Sequence, residues 1–441
     1  MRRWAGGALT CLLDAPLFGK THAQTCTRKF GDRDHHPKGE YAGGESDCNA
    51  SRARPEGLAV TQVEMKHSER IGGIDELRGL ALILVVLSHA GLVYGLETGV
   101  AYGLALPAFG IGVDLFFVIS GFVIYRNVLA MRAKAGGNAL LGAQAFWVRR
   151  FLRIGTPAAA ALAVVGAVRL AQEGSRASWA DLVAAAGFLA NFYWAGCAAS
   201  TPPCPYPLVA SHFWSLSLEG QFYALAPVLV VLPRRLAFPF CLTILAMGGG
   251  FERPVGSYLW TTRPDALFMG MGVAALKRQT VAPGKFWPSL SLGQAVYWVC
   301  VASLLERLAI GRLSGLGLSL LALLFGFVLA GRLEGDTDDT WPARALRKGG
   351  ELSFSAYLVH LPVMSGMHAA LAERTAPALS LIMSLGAIAA ATLLWDALVV
   401  KPAARLGKRL SETSFLKNCT PQAEGRNLSH QYIRKRLEEC E

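Results

Sequence analysis

The chain has 441 residues, of which 53% are hydrophobic and 17% charged, and its formal net charge is +12. Soluble domains usually carry about 25% charged residues, whereas here the apolar residues form several uncharged blocks of about 18 residues or more, the length of a membrane-spanning helix. These blocks exclude a soluble enzyme, a DNA-binding domain and a disordered protein. The positive charge is interpreted as cytoplasmic loop charge and not as a nucleic-acid surface, because no basic-aromatic array accompanies it.

The two ends of the chain differ from its middle. Residues 1–66 are polar with mixed charge and are predicted to form a disordered extension. Their start resembles a signal peptide, but Asp14 interrupts the apolar part and no small-x-small cleavage site follows. Met65 precedes the first organised segment, so a start codon at this position is an alternative. A membrane domain is predicted over 67–409 and a polar C-terminal tail over 410–441.

The predicted fold class is all-α, a polytopic membrane bundle of about ten or eleven transmembrane helices. No strand pattern appears, and backbone polar groups in lipid must be satisfied within helices. Eleven candidate spans support this prediction, each with an error of a few residues at its ends: 74–96, 106–128, 154–171, 181–197, 213–232, 236–251, 262–277, 287–305, 313–331, 351–372 and 376–400.

Basic side chains mark the connectors that the positive-inside rule places in the cytoplasm. This orientation puts both chain termini in the cytoplasm and suits a bacterial inner membrane. It also requires an odd number of spans between Arg153 and His212, so one of 154–171 and 181–197 should be a half-pass or re-entrant segment. The basic connectors are 126–153, 277–285, 332–350 and the tail after Val400.

Three ionisable residues lie on one stripe of the first span. Arg78 and His89 are eleven residues apart, which puts them on the same helical face about 16 Å apart along the axis. Asp75, three residues before Arg78, falls on that stripe. The alternative is that Asp75 and Arg78 lie at the membrane interface and His89 is a satisfied core histidine. Three aligned groups favour a functional interior surface, because charges inside a membrane are costly.

The second span contains an aspartate within an apolar run. Asp114 should be embedded in lipid and therefore needs an internal partner. Gly112 and Gly121 on the same helix are predicted to permit close helix approach. Packing explains the glycines but leaves the aspartate unexplained.

Three arginines precede Pro157. Arg149, Arg150 and Arg153 are spaced by three and four residues, which predicts a cluster on one helical side. Such a cluster at a cytoplasmic helix start could bind phosphates bidentately. On these residues alone, ordinary orientation signals or lipid headgroup contacts are the favoured alternative.

Polar residues recur at three later span entrances or interiors. Ser215, Glu219 and Tyr223 are spaced by four and share a helical face, where Glu219 could serve as a base, position a base or pair with arginine. An interfacial glutamate is the alternative. Two further pairs admit functional and structural interpretations: a local charge pair at a span entrance, and polar groups one turn apart in the tenth span. These pairs are Arg263 with Asp265 and Tyr357 with His360.

Two of the nine cysteines lie in a Pro-rich connector. Cys197 and Cys204 could form a disulfide if that connector faces an oxidising periplasm. Two unrelated thiols are an equally good interpretation. No metal site is predicted, because the cysteines lack CxxC spacing.

With these motifs in view, the chain resembles the acyltransferase-3 family of integral-membrane O-acyltransferases. Six fragments occur in family order over about residues 70–405: IDELRGLALILVVLSHA, GVDLFFVISGFVIYR, FWVRRFLRIGTP, HFWSLSLEGQFYALAP, RPDALFMGMGVAAL and GELSFSAYLVHLPV. The resemblance implies transfer of an acyl group, often acetyl, from cytoplasmic acyl-CoA to a hydroxyl of a glycan or glycolipid. The chain departs from the family pattern at Lys401, where an acidic residue commonly precedes the proline.

The resemblance also implies roles for individual residues. The family's Arg-x10-His motif falls on Arg78 and His89, its basic motif on the three arginines before Pro157, and its WSLSxExQFY block on Trp214 to Tyr223. The structural or acceptor-side group implied by the motifs comprises Asp114, Ser120, Trp214, Ser217, Tyr223, Arg263, Asp265, Tyr357 and His360.

Acyl transfer to an alcohol needs a base, a stabiliser of the oxyanion and a place for the donor's phosphates. His89 is the expected general base because its ordinary pKa near 6.5 suits that work. Arg78 is expected to hold the donor or stabilise negative charge, Asp75 to orient Arg78, and Glu219 to act near the acceptor or the base. A covalent acyl-histidine stays open. The residues expected to bind acyl-CoA phosphates are Arg149, Arg150 and Arg153.

The partners expected are acyl-CoA as donor substrate, a glycan or lipid-linked glycan acceptor, and membrane lipids, with no nucleic acid and no permanently bound cofactor. Two alternatives remain. One is an acyltransferase that modifies a small molecule such as a macrolide. The other is a transporter or flippase, which the absence of internal repeats and paired broken helices disfavours.

Overall fold

The computed structural model describes residues 72–94, 110–173, 179–201, 204, 210–254, 256–279, 288–309, 314–337, 339–371 and 374–419. Every regular element in this part of the chain is a helix, which confirms the all-α prediction. The extension predicted over 1–66, the alternative start at Met65 and the end of the tail lie outside the described residues.

Fifteen α-helices and two π-helical turns make up the described elements. The helices are α1 Gly72–Tyr94, α2 Gly112–Lys134, α3 Ala139–Arg150, α4 Thr156–Glu173, α5 Ala180–Ala186, α6 Ala190–Ala199, α7 Phe213–Leu229, α8 Arg234–Gly249, α9 Tyr258–Thr261, α10 Asp265–Gln279, α11 Leu292–Ala309, α12 Ser314–Glu334, α13 Trp341–Leu371, α14 Pro377–Trp395 and α15 Lys401–Cys419. The π-turn Phe151–Gly155 joins α3 to α4, and the π-turn Asp396–Val400 joins α14 to α15.

Within the described residues, five helical stretches are long and apolar enough to cross a membrane, and two shorter apolar helices accompany them. The predicted count of ten or eleven spans is therefore not confirmed. The five stretches are Gly72–Tyr94, Gly112–Lys134, Ala139–Ala171, Gly315–Glu334 and Pro377–Glu412, and the shorter helices are Arg235–Gly249 and Leu292–Leu305.

The segment 181–197 is broken. Phe188 has a φ of 56°, in the left-handed region, and separates α5 from α6. At 1.5 Å per residue, helices of 7 and 10 residues are too short to cross a bilayer. The sequence predicts a half-pass in either 154–171 or 181–197. The structure interrupts 181–197, whereas 156–173 forms a continuous helix.

The central helix of the bundle is α2, which packs against α1, α3, α7, α10 and α12. Its Leu115, Val118 and Ile119 are fully buried. A Cβ at Gly121 would lie 1.9 Å from the carbonyl oxygen of Leu267 on α10. The predicted close approach at Gly121 is confirmed, since only a glycine permits this backbone contact.

Close contacts between a glycine and a facing backbone also join α1 to α13. A Cβ at Gly79 would lie 2.1 Å from the Leu346 carbonyl oxygen, and one at Gly350 would lie 1.8 Å from the Asp75 carbonyl oxygen. These backbones therefore touch directly, as in small-residue contacts between membrane helices.

A buried ion cluster, absent from the sequence predictions, fixes the register of this contact. Glu76 on α1 is fully buried and accepts hydrogen bonds from Arg332 of α12 at 2.5 Å and from Arg347 of α13 at 2.7 Å. The Glu76–Arg347 pair and the His89–His360 pair are both separated by 271 residues. A constant separation means that α1 and α13 run parallel, so the ion cluster at one end aligns the two histidines farther along.

We predict that Gly350→Ala destabilises the protein by about 1–3 kcal/mol, because the added methyl group overpacks the contact between α1 and α13. Gly366→Ala on the same helix is the matched control, since a Cβ there meets nothing within 4 Å. It should stabilise by up to about 1 kcal/mol through helix propensity. Thermal unfolding in detergent measures both, and equal melting temperatures for the two variants would contradict the packing argument.

Candidate active site

Two imidazoles from α1 and α13 meet inside the bundle. His89 Nδ1 lies 3.4 Å from His360 Nε2, and the ring centroids are 5.0 Å apart. His360 Nδ1 is 2.8 Å from the Tyr357 carbonyl oxygen, which only accepts, so this nitrogen carries the hydrogen. His89 Nδ1 likewise donates to the Val85 carbonyl oxygen at 2.9 Å. The neutral His89 ring therefore keeps its lone pair on Nε2, the nitrogen that faces away from these contacts.

A third histidine, which sequence reasoning passed over, adjoins this pair. His212 precedes α7 and is 4% exposed, with its ring centroid 5.7 Å from that of His360. Neither of its ring nitrogens has a hydrogen-bond partner within the described part of the chain. The sequence signal was available, because His212 opens the HFWSLSLEGQFY motif, but only the Ser215 face of that helix was considered.

The predicted polar face of α7 connects to α13. The Ser215 hydroxyl lies 2.8 Å from the Tyr357 hydroxyl, which donates to the His212 carbonyl oxygen. Glu219 lies one helical turn after Ser215, and Tyr223 lies one turn after Glu219. The Tyr223 hydroxyl donates to the Glu219 carboxylate. The face thus runs from the histidines toward the arginines.

Arg78 and Arg150 lie at the other end of this face. The Arg78 guanidinium is 3.6 Å from the Asp75 carboxylate, as the spacing predicted, and within electrostatic reach of Arg150, Glu219 and Tyr223. The Arg150 guanidinium stands over the Tyr223 ring at 5.2 Å. Two cations and a carboxylate therefore converge about three helical turns from His89.

The predicted clustering of all three arginines before Pro157 requires correction. Arg149 turns toward α15, where its Nε donates to the Ser411 hydroxyl at 2.5 Å and its Nη2 lies 3.6 Å from Glu412. Arg153, by contrast, is exposed and within electrostatic reach of Tyr223. The reason is that adjacent residues of α3 diverge by 100° and the π-turn then changes the helical phase.

Asp114 has the internal partner that its position required. Arg263 Nε and Nη2 donate to its two carboxylate oxygens at 3.0 and 3.1 Å. The local pair predicted between Arg263 and Asp265 is therefore wrong: Asp265 instead accepts from Arg253 and, at 2.8 Å, from Ser319. Both aspartates bind residues of other segments, which no local spacing indicates.

Indole rings surround the Arg263 guanidinium. It lies 4.0 Å from the Trp260 ring centroid and 5.1 Å from that of Trp214, and Trp194 stacks against Trp214 at 6.1 Å. The helix α6 that carries Trp194 ends near Cys197, which is disulfide-bonded to Cys204.

The remaining two predicted site residues have other surroundings. The Ser217 hydroxyl accepts from the Ala190 backbone N–H at 3.1 Å and so anchors the start of α6, which makes it structural. Ser120 is partly exposed on α2, one residue before Gly121.

Together these features define a helical membrane protein with a histidine cluster inside the bundle. A basic cluster lies at the other end of the polar face of α7. Residues 71–396 match the family profile described as "Acyltransferase domain", and the chain belongs to the acyltransferase-3 family of membrane O-acyltransferases.

Similarity to individual proteins is partial. The chain is 30% identical over 215 residues to peptidoglycan O-acetyltransferase OatA of Listeria monocytogenes, covering 46% of this chain and 32% of that protein. It is 31% identical over 173 residues to "Putative peptidoglycan O-acetyltransferase YrhL" of Bacillus subtilis, covering 38% and 24%. A Staphylococcus aureus protein, "Putative O-acetyltransferase SACOL0978", is 27% identical over 168 residues, covering 38% and 26%.

The matches thus span between about a quarter and a third of the length of these relatives. No solved structure matches the chain.

We predict that Asp114→Ala costs about 3–5 kcal/mol, because it leaves the Arg263 guanidinium buried without its carboxylate. The double variant Asp114→Ala with Arg263→Met should recover part of that loss. Lys348→Ala is the control, since its pair with Glu351 is exposed and should contribute under about 1 kcal/mol. Equal melting temperatures for Asp114→Ala and Lys348→Ala in detergent would refute this assignment.

Proposed function

We propose that this protein transfers an acyl group, most simply acetyl, from cytoplasmic acyl-CoA to a hydroxyl of a cell-envelope glycan or lipid-linked glycan. The observation that carries the proposal is that the Val85 carbonyl oxygen holds the hydrogen of His89 on Nδ1, beside His360, which leaves the lone pair of His89 on Nε2. A neutral imidazole held in this tautomer is suited to take a proton from an alcohol.

The donor is proposed to enter at the basic end of the site. Arg78, Arg150 and Arg153 each lie within electrostatic reach of Tyr223 and are proposed to supply cationic groups for the phosphates of CoA. The helical rise from Arg78 to His89 is about 16 Å, a distance that the uncharged pantetheine arm can bridge to present the thioester beside the histidines. Arg149 has no part in this proposal, because Ser411 and Glu412 hold it.

In the proposed reaction, the acceptor oxygen attacks the thioester carbonyl carbon while His89 Nε2 takes the hydroxyl proton. The tetrahedral intermediate then collapses, the carbon–sulfur bond breaks, and the proton on His89 passes to the leaving thiolate. The products are the acyl ester and CoA. The Val85 carbonyl oxygen accepts the hydrogen bond from His89 Nδ1 throughout and so supports the transient imidazolium.

The acceptor is proposed to approach from the side opposite the basic cluster, past Trp194, Trp214 and Trp260. Amphipathic indole rings suit a boundary between water and the apolar interior. The names of two relatives specify peptidoglycan as their substrate, which supports a glycan of the cell envelope as the acceptor class. Both termini then lie in the cytoplasm and the chain in the plasma membrane, as the loop charges indicate.

We predict that His89→Ala lowers acetyl transfer by about 10²- to 10⁴-fold, the range for loss of a general base. Membranes that carry the protein are given labelled acetyl-CoA, and alkali-labile acetate in the envelope glycan is counted. His368→Ala, a histidine farther along α13, is the matched control and should retain activity. Wild-type transfer by a stably inserted His89→Ala variant would remove the base assignment.

We further predict that Arg150→Gln raises the KM for acetyl-CoA about tenfold or more, because a charge-assisted contact to phosphate contributes about 1.5–3 kcal/mol. Arg149→Gln should leave this KM unchanged and instead loosen α15, with a lower melting temperature. Steady-state kinetics with varied acetyl-CoA distinguish the two arginines. The reverse pattern would show that Arg149 binds the phosphates.

A further inference from the structure

We propose that His212 is a catalytic residue whose ring N–H stabilises the oxyanion of the tetrahedral intermediate. This inference rests on the proposed acyl transfer and adds to it a donor for the oxyanion, a group that the reaction requires. Oxyanion stabilisation by a preorganised donor is commonly the largest contribution of such a site.

The first observation is the unsatisfied ring. His212 is 4% exposed, and neither Nδ1 nor Nε2 has a hydrogen-bond partner in the described part of the chain. Buried polar groups are nearly always paired, and each unpaired one costs about 1–3 kcal/mol. An apolar ring of similar size would fill this position without that cost. Two unpaired nitrogens in one buried ring therefore favour a role for His212 in binding a polar group of the substrate.

The second observation is where the ring lies. Its centroid is 5.7 Å from those of both His360 and Tyr357, and the ring is within electrostatic reach of His89. The unsatisfied ring therefore belongs to the same histidine cluster as the proposed base. On this proposal, the thioester carbonyl lies between His89 Nε2 and the His212 ring.

The third observation is that neighbouring donors are already engaged. The Nδ1–H groups of His89 and His360 point to backbone carbonyl oxygens, and the Tyr357 hydroxyl donates to the His212 carbonyl oxygen. Arg78 is about 16 Å from His89 along the helix, too far to contact an oxyanion at that end. We therefore assign stabilisation of the developing negative charge to His212. Arg78 retains its other expected role, which is to hold the acyl-CoA donor.

In the completed step, the acceptor O–H bond breaks to His89 Nε2 and the new carbon–oxygen bond forms. The electron pair of the carbonyl double bond moves to oxygen, where the His212 N–H donates to it. When the carbon–sulfur bond breaks, this pair returns to form the ester carbonyl. His212 stays neutral throughout and exchanges no proton, and His89 gives its proton to the thiolate.

The test compares His212→Phe with His212→Gln. An oxyanion role predicts that His212→Phe keeps or raises the melting temperature in detergent, leaves the KM for acetyl-CoA within about threefold, and lowers kcat by about 10²- to 10³-fold. His212→Gln, which retains an N–H donor, should recover part of kcat. His368→Phe is the control for loss of a histidine away from the reacting atoms and should keep kcat.

Three results overturn the proposal. In the first, His212→Phe retains kcat within about threefold. In the second, His212→Phe or His212→Gln lowers the melting temperature by several degrees, which would make the imidazole a packing residue. In the third, wild-type membranes do not consume labelled acetyl-CoA, which would remove the proposed function itself. The third result separates failure of the proposed function from failure of the His212 assignment, because the first result is interpreted only when the wild-type protein is active.

Discussion

The parallel contact of α1 with α13 is the constraint on which the site depends. Glycines bring the two backbones together, and Glu76 locks their register through Arg332 and Arg347. A shift of either helix would leave a buried carboxylate without its guanidinium, at a cost of several kcal/mol. The same register places His89 beside His360, because both pairs share one separation along the chain. Helix packing therefore determines the geometry of the candidate site, far from the charges that secure it.

The bundle interior contains ion pairs that join its segments and a separate cluster of neutral imidazoles. Asp114 with Arg263 and Asp265 with Arg253 fasten α2 and α10 to the segments that precede α9 and α10 through buried ion pairs, which suits rigid joints. The histidine cluster instead buries neutral rings, at a smaller cost than buried ions. Such rings can accept or donate a proton transiently, and buried dipoles of this kind act more strongly than dipoles in water. The ion pairs thus carry permanent charges that hold the fold, whereas the proposed reaction creates charge on the histidines only during turnover.

Local periodicity was enough to predict what a single helix determines. The shared face of Arg78 and His89, the partner required by Asp114 and the close approach at Gly121 all follow from helix geometry and the cost of burying charge. The Arg263–Asp265 pair failed because sequence proximity cannot reveal a partner on α2. Arg149 departed from its predicted cluster because it lies 100° from Arg150 around α3, and the π-turn changes the helical phase before Arg153. His212 was missed because its importance lies in contacts with a helix more than a hundred residues away.

The order of groups along the site suits a donor that cannot cross a membrane. On the proposed function, CoA phosphates stay with the arginines at the cytoplasmic end, since moving such charges into an apolar interior is prohibitive. Only the uncharged arm and the small acyl group need to enter, and the face from Arg150 to the histidines becomes steadily less charged. In the same proposal, the acceptor hydroxyl meets the acyl carbon among neutral rings. A gradient from fixed cations to neutral imidazoles would thus let one set of helices deliver an acyl group across the bilayer without transporting its carrier.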